Sequence, residues 1–207
     1  NITISAAATK NYKAATTTVE VEVLKANPEY TKPTGLVATY GQTLGNITLP
    51  TGFSWTNETT TSVGNAGDNT FTVIYTPSDT DNYNVIEDIE VIVAVAKKAL
   101  TITGSSHNLT YGDDVPVIEV TYDGFVNSED HSVLTGTKGA TTTYVKYSSI
   151  GTYEVIPNVL TSANYDITYE NGSITVGKQA IAETDVTLEY TEASFTGSAL
   201  TPTVTVV

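Results

Sequence analysis

Cysteine, methionine and arginine are absent from this chain of 207 residues, and Trp55 is its one tryptophan. Without Cys there can be no disulfide, no thiolate nucleophile and no cysteine-based metal site. Without Cys or Met there is little to oxidise, which suits an exported protein. All nine basic residues are Lys, set against 23 Asp and Glu, and the net charge is -14. Nucleic-acid binding needs a basic surface and draws its best contacts from Arg, so that class is excluded. Docking on an anionic membrane is disfavoured by the same field. Long apolar runs are missing too. The longest is VIVAVA, Val91 to Ala96, far below the roughly 20 residues that cross a bilayer. Membrane insertion is not expected, and the run reads as a buried strand. No signal peptide opens the chain and no sorting signal closes it. Residue 1 falls inside a repeat, as the spacing below implies, so the chain is expected to be a piece of a longer protein.

What is present is repetition. An Asn-Tyr pair occurs three times, at Asn11-Tyr12, Asn82-Tyr83 and Asn164-Tyr165. From each Tyr the chain runs 11, 10 and 11 residues to a closing valine, at Val23, Val93 and Val176. The stretches between are TTTVEVEV, EDIEVIV and YENGSITV. Their apolar residues alternate, at Val19, Val21 and Val23, at Ile89, Val91 and Val93, and at Ile174 and Val176. Period two marks a half-buried strand. A Tyr-Gly pair recurs at Tyr40-Gly41 and Tyr111-Gly112, 71 residues apart, as are the first two Asn-Tyr pairs.

Regular spacing of several landmarks is the mark of a copied building block. The order is lead strand, Tyr-Gly turn, middle strands, Gly, strand, Asn-Tyr and closing hairpin. Applied to the whole chain it divides the residues into four. Residues 1-26 are the tail of one repeat, 27-96 a complete repeat, 97-177 another, and 178-207 the front of a fourth. The incomplete pieces at 1-26 and 178-207 could pair between molecules by strand addition; otherwise the segment is expected to be a monomer. The polar neighbours of the Asn-Tyr pair vary freely, so the pair is read as a corner. On that reading Tyr12, Tyr83 and Tyr165 pack inward.

Thr, Val, Tyr and Ile dominate, and Gly, Asn, Asp and Pro punctuate every 8-12 residues. The expected fold class is all-β, an elongated tandem array of small antiparallel modules, either Ig-like sandwiches or β-grasp-like. Strands are expected at 19-24, 36-40, 70-76, 88-95, 99-103, 117-122, 141-147, 152-156, 165-169 and 173-176. Asn171-Gly172 fits a two-residue hairpin turn joining the last two. One short helix is expected near 127-134, capped by Asn127 or Ser128 and stopped by Gly136.

Candidate chemistry is sparse. SDTDNYN holds Asp79 and Asp81 but lacks the Gly and Glu of a calcium loop, so a solvated turn is the better reading. Asp113-Asp114 is read in the same way. His107 and His131 stand 24 residues apart with no second pair of ligands, so no metal site is expected. No nucleophile elbow, phosphate loop or zinc-protease motif occurs. No catalytic residue and no cofactor are assigned. Trp55 is the one tentative ligand contact, because an exposed Trp can stack on a sugar. Phe53 lies two residues away on the same strand face, which favours core packing instead.

YGDDVPVIEVTYDGFVNSEDHSVLTG with GTYEVIPNVLTSANYDITYENGSITV resembles the YGX-type MBG repeat of large bacterial surface adhesins. YGQTLGNITLPTGFSWTNETTTSVGNAGDNTFTVIYTPSDTDNYNV resembles a sister repeat of the same Gram-positive cell-surface proteins, and FTGSALTPTVTV the opening of a third type. The resemblance implies non-catalytic stalk or adhesion modules, outside the cell and attached to the wall through other regions. The partners it implies are host glycans or host surface proteins and neighbouring repeats. A ligand module built around Trp55 or Asp113, or a spacer within an extracellular enzyme, are the alternatives. Such stalks can carry a Lys-Asn isopeptide bond. Lys98 and Asn171 are the candidate pair, although the turn accounts better for Asn171.

Overall fold

The computed structural model describes residues 1-182, 186-194, 197-199 and 201-206. Residues 183-185, 195-196, 200 and 207 of the expected front of a fourth repeat lie outside the described residues. The chain falls into two compact units, Asn1–Lys98 and Ala99–Val207. Both are built from strands. The helical residues described are two short 3-10 turns, Leu44–Asn46 and His131–Val133.

In the first unit, β1 (Ile2–Ala6) and β2 (Ala15–Val19) form a two-stranded antiparallel hairpin. A four-stranded sheet follows, made of β3 (Leu36–Thr39), β4 (Phe53–Trp55), β5 (Gly67–Tyr75) and β6 (Ile86–Ala96), in the order β3-β6-β5-β4. β6 shows the alternation expected from its sequence. Ile89, Val91, Val93 and Val95 are buried, while Glu90, Ile92 and Ala94 are exposed. Each buried Val or Ile of this kind contributes roughly 1.5–3 kcal/mol.

The second unit contains β7 (Lys98–Gly104), β8 (His107–Thr110), β9 (Val120–Asp123), β10 (Ala140–Thr142), β11 (Gly151–Pro157), β12 (Tyr165–Glu170) and β13 (Gly172–Gly177). They form a four-stranded sheet, β10-β11-β13-β8, and a three-stranded one, β12-β7-β9. Val155, Ile174, Val176 and Tyr144 form a buried cluster, with Leu109, Ile118, Ala140 and Tyr153 packed against it. β14 (Val186–Leu188) and β15 (Val204–Val206) make a separate antiparallel pair.

The two four-stranded sheets share one plan. β3 runs parallel to β6, Leu36 facing Val93 through Thr39 facing Ala96. β8 runs parallel to β13, His107 facing Ile174 through Thr110 facing Gly177. In both, the tail strand then pairs antiparallel with an earlier strand, β5 or β11, and that strand with a short edge strand, β4 or β10. The sheets are therefore mixed, where purely antiparallel ones were expected.

Four further expectations are corrected. First, Asn171-Gly172 does not join a hairpin, because β12 and β13 belong to different sheets. Gly172 is not in the left-handed region. It is needed because a Cβ there would stand 2.1 Å from the Ser105 carbonyl oxygen and 2.3 Å from that of Gly104. Second, no helix forms near 127-134. Asn127 and Ser128 have φ of 57° and 59°, which an α-helix start cannot use, and only His131–Val133 turns. The Asp130 carboxylate caps that turn by accepting from the Ser132 N–H at 2.8 Å. Hydrogen bonding by the Ser132 side chain first, and then by that N–H, holds its carboxyl below the ordinary carboxylate range.

Third, of the three Asn-Tyr tyrosines only Tyr165 is enclosed, at 2 % exposure; Tyr83 is at 40 % and Tyr12 at 77 %. The Tyr165 hydroxyl accepts from the Val126 N–H at 3.1 Å and donates to Glu129 at 2.5 Å. Phe125 meets its ring edge-on. The first module has no counterpart to these partners. Fourth, the 19-24 strand is reached only by β2, which ends at Val19, and Val21 and Val23 are exposed. A lone two-stranded hairpin has no second layer to bury them.

Adding one methyl at Gly172 should destabilise the second unit by about 1–3 kcal/mol, since backbone and not a flexible side chain fills the space. Gly172→Ala should therefore lower its melting temperature by several degrees. Gly177→Ala, whose Cβ would meet only the Leu109 carbonyl at 3.6 Å, should leave it nearly unchanged. Equal effects would refute the close-approach explanation.

Candidate functional site

Trp55 sits in the edge strand β4, opposite Val73. It is half-buried, with its ring edge-on to Phe71 at 6.0 Å and 76°. Phe53, on the same face, packs against Tyr75 at 4.9 Å and Tyr30 at 6.1 Å. Tyr30 in turn stacks on Tyr75 at 5.3 Å. The aromatics of this unit thus spend much of their area on one another. The Trp55 indole Nε1 is buried with no hydrogen-bond partner, an arrangement that costs about 1–3 kcal/mol.

The Tyr-Gly landmarks are one turn built twice. Gln42 N–H donates to the Thr39 carbonyl at 3.0 Å, and Asp113 N–H to that of Thr110 at 3.0 Å. Gly41 and Gly112 have φ of 91° and 95°, the third turn position where a type II turn requires a positive φ. The side chain after Gly then turns back. Gln42 Oε1 accepts from Thr39 N–H at 2.7 Å, and Asp113 Oδ2 from Thr110 N–H at 2.7 Å. The Tyr N–H closes the parallel ladder, Tyr40 onto the Ala96 carbonyl and Tyr111 onto that of Gly177, both at 2.9 Å. The rings differ, with Tyr40 at 8 % exposure and Tyr111 at 42 %.

The remaining acidic candidates also serve turns. Asp79 accepts from the N–H groups of Asp81 and Asn82 and from Asn82 Nδ2 at 3.2, 3.1 and 2.9 Å. These bonds, the Asn82 side chain first, hold its carboxyl below the ordinary carboxylate range. The Asp113 carbonyl accepts from the Tyr144 hydroxyl at 2.7 Å, and Asp114 pairs with Lys146 at 3.0 Å. His107 bonds Ser105 at 2.9 Å, whereas His131 stacks on Tyr122 at 5.6 Å. Among the described residues no three His, Asp or Glu side chains gather as a metal site would require. No helix of the described residues is long and apolar enough to cross a membrane.

The isopeptide candidates are separated. Thr101 meets Thr168 at 3.2 Å and Thr103 meets Glu170 at 3.1 Å, so β7 and β12 run in the same direction. Asn171 therefore lies at the Gly104 end of β7, six residues from Lys98. At ~3.3 Å per residue that is about 20 Å, and no bond can form.

Residues 100-175 match the family model described as MBG domain (YGX type). This stretch is an MBG domain. No curated protein and no solved structure matches the chain. The MBG match runs from within β7 to within β13 and includes the Tyr111-Gly112-Asp113 turn. An MBG domain is a non-catalytic type of module that marks a repeat of a surface protein. Sequence reading located the turn through its Gly. The bond from the following side chain was not foreseen, although an acceptor-bearing residue at both 42 and 113 was its visible trace.

Removing that acceptor should cost about 0.5–1.5 kcal/mol. Gln42→Ala should act on the first unit and Asp113→Ala on the MBG domain, while Asp113→Asn, which keeps an acceptor, should retain most of the stability in urea titrations. Trp55→Phe removes an unpartnered N–H and should stay within about 1 kcal/mol of the parent. Trp55→Ala loses packing and should cost about 2–3 kcal/mol, the low end for a large aromatic because the ring is only half-buried.

Proposed function

We propose that the chain is a structural stalk segment of a bacterial cell-surface adhesin, working outside the cell and holding a binding region away from the wall. It performs no reaction. The tandem modules at 27-96 and 97-177 are its rods, and host glycans or host surface proteins are the partners of the whole molecule.

The observation that carries this reading is the parallel pairing of front and tail strands. In each four-stranded sheet the front strand, β3 or β8, meets the tail strand, β6 or β13, over four facing residue pairs. Tension drawing the start of the front strand and the end of the tail strand apart acts along the strands. All rungs of the ladder then resist together. In an antiparallel pair those two points would sit at one end, and the rungs would open singly. The incoming chain is paired in the same sense, with Ala26 bridged parallel to Tyr83 and β7 beside β12. The acidic surface keeps such a segment soluble and self-repelling.

Single-molecule pulling tests this, because the chain lacks Cys and attachment points can be chosen freely. Pulled from its ends, the MBG domain should rupture at higher force than when pulled from cysteines at Asn108→Cys and Thr175→Cys, a directly facing pair. Rupture at equal or lower force from the ends would remove the support for a tension-bearing role.

A further inference from the structure

The first unit has a cleft of about 500 Å³ that no catalytic or structural role absorbs. Tyr75, Tyr83, Pro28 and Pro77 form its apolar walls, and Glu29 and Asp79 its charged groups. No Lys lines it. The walls are held in place. Tyr75 is stacked on Tyr30 and packed against Phe53. Asn84 fastens the Tyr83 segment to the incoming chain, its N–H to the Ala26 carbonyl at 2.8 Å and its side-chain amide to Asn27 Oδ1 at 2.9 Å. Pro28 and Pro77 restrict the backbone on either side.

The chemistry of this lining favours a cation. Asp79 is ionised and committed to its own turn, so it supplies a fixed negative charge. The Glu29 carboxylate and the Tyr75 and Tyr83 hydroxyls make no hydrogen bond among the described residues, and they are free to receive donors. Lys25, the cation that bears on Asp79, has its ammonium on the Thr80 carbonyl at 2.6 Å. Aromatic faces attract cations, and a guanidinium both stacks on such faces and bonds a carboxylate through two N–H groups. The net charge of -14 steers cations inward and turns anionic ligands away. A neutral sugar could lie on the rings, but it would leave the negative charge uncompensated.

We propose that this cleft receives a cationic side chain, an arginine by preference, presented by a partner protein. This recognition is independent of the stalk reading, since it needs neither the parallel ladders nor their response to tension.

The full chain, labelled with 15N, is titrated with a Gly-Arg-Gly peptide blocked at both ends, with its citrulline counterpart, and with a neutral N-acetylhexosamine disaccharide. The arginine peptide should shift the amides of Glu29, Tyr83 and Asn84 and leave the second unit unmoved. Glu29→Gln and Tyr83→Ala should each weaken binding roughly 2–5-fold, the size of one exposed cation–π or ionic contact. Raising the salt should weaken it as well. Both side chains are exposed, so unchanged Trp55 fluorescence and melting would show that these variants are folded. Equal shifts with citrulline, a stronger response to the disaccharide, or no response at these residues would overturn the proposal.

Discussion

The parallel pairing of a front strand with a tail strand is the constraint on which both four-stranded sheets depend. Two parallel strands cannot be joined by a tight turn, so the chain between them must travel away and come back. In the first unit it returns through β4 and β5, which add to the free side of β6. In the second it passes through β9, β10, β11 and β12, of which β10 and β11 fill the same places. The Tyr-Gly turn belongs to this arrangement. It lies just beyond the ladder, and its Tyr N–H makes the final rung on Ala96 or Gly177. A left-handed Gly reverses the chain there, and the Gln or Asp that follows satisfies the N–H of the last front-strand residue. The motif ends the ladder and starts the return in three residues.

Around this shared plan the units solve the rest differently. The second has a continuous lead strand, β7, with Leu100 and Ile102 fully buried and a three-stranded sheet built around it. At the corresponding place the first unit has NPEYTKPTG. Pro28 and Pro33 lack the N–H that a central strand must donate, and the ladder shrinks to the Ala26-Tyr83 bridge. The space is taken by the rings of Tyr30, Phe53 and Tyr75. The same loss of a strand leaves Tyr83 exposed where Tyr165 is enclosed, and it opens the cleft between Pro28 and Pro77. One compositional change, proline in the lead segment, accounts for the aromatic cluster, the exposed corner and the cleft.

The plan shared by the two four-stranded sheets left a trace in the sequence as regular spacing and alternation. The 71-residue interval and the buried faces of β6 and β13 needed no partner information. The errors arose where local grammar met tertiary demands. Asn-Gly is a strong local signal for a hairpin, yet Gly172 serves a backbone contact with Gly104 and Ser105, residues nearly 70 positions earlier. The acids at 129 and 130 looked like a helix start. They are instead consumed by the Tyr165 hydroxyl and the Ser132 N–H. Trp55 was placed on the right strand face by its i, i+2 relation to Phe53, but its stranded N–H depends on side chains from β5 that no local pattern names. The cleft was invisible for the same reason, since its walls come from residues 28-29, 75-79 and 83.

The unequal fates of Tyr40 and Tyr111 bear on what the recurring turn keeps in physical terms. If the ring were the purpose of the motif, it should meet similar surroundings in both units. It is nearly buried in one and largely open in the other. What recurs is the backbone: one positive φ, one i to i+3 bond, one side-chain acceptor on the front strand and one N–H on the tail strand. Gln and Asp differ in charge and length but present the same oxygen at 2.7 Å. A motif kept for recognition would hold its chemistry and let its geometry drift. This one holds its geometry and lets its chemistry drift, which is how a joint behaves and not a binding site.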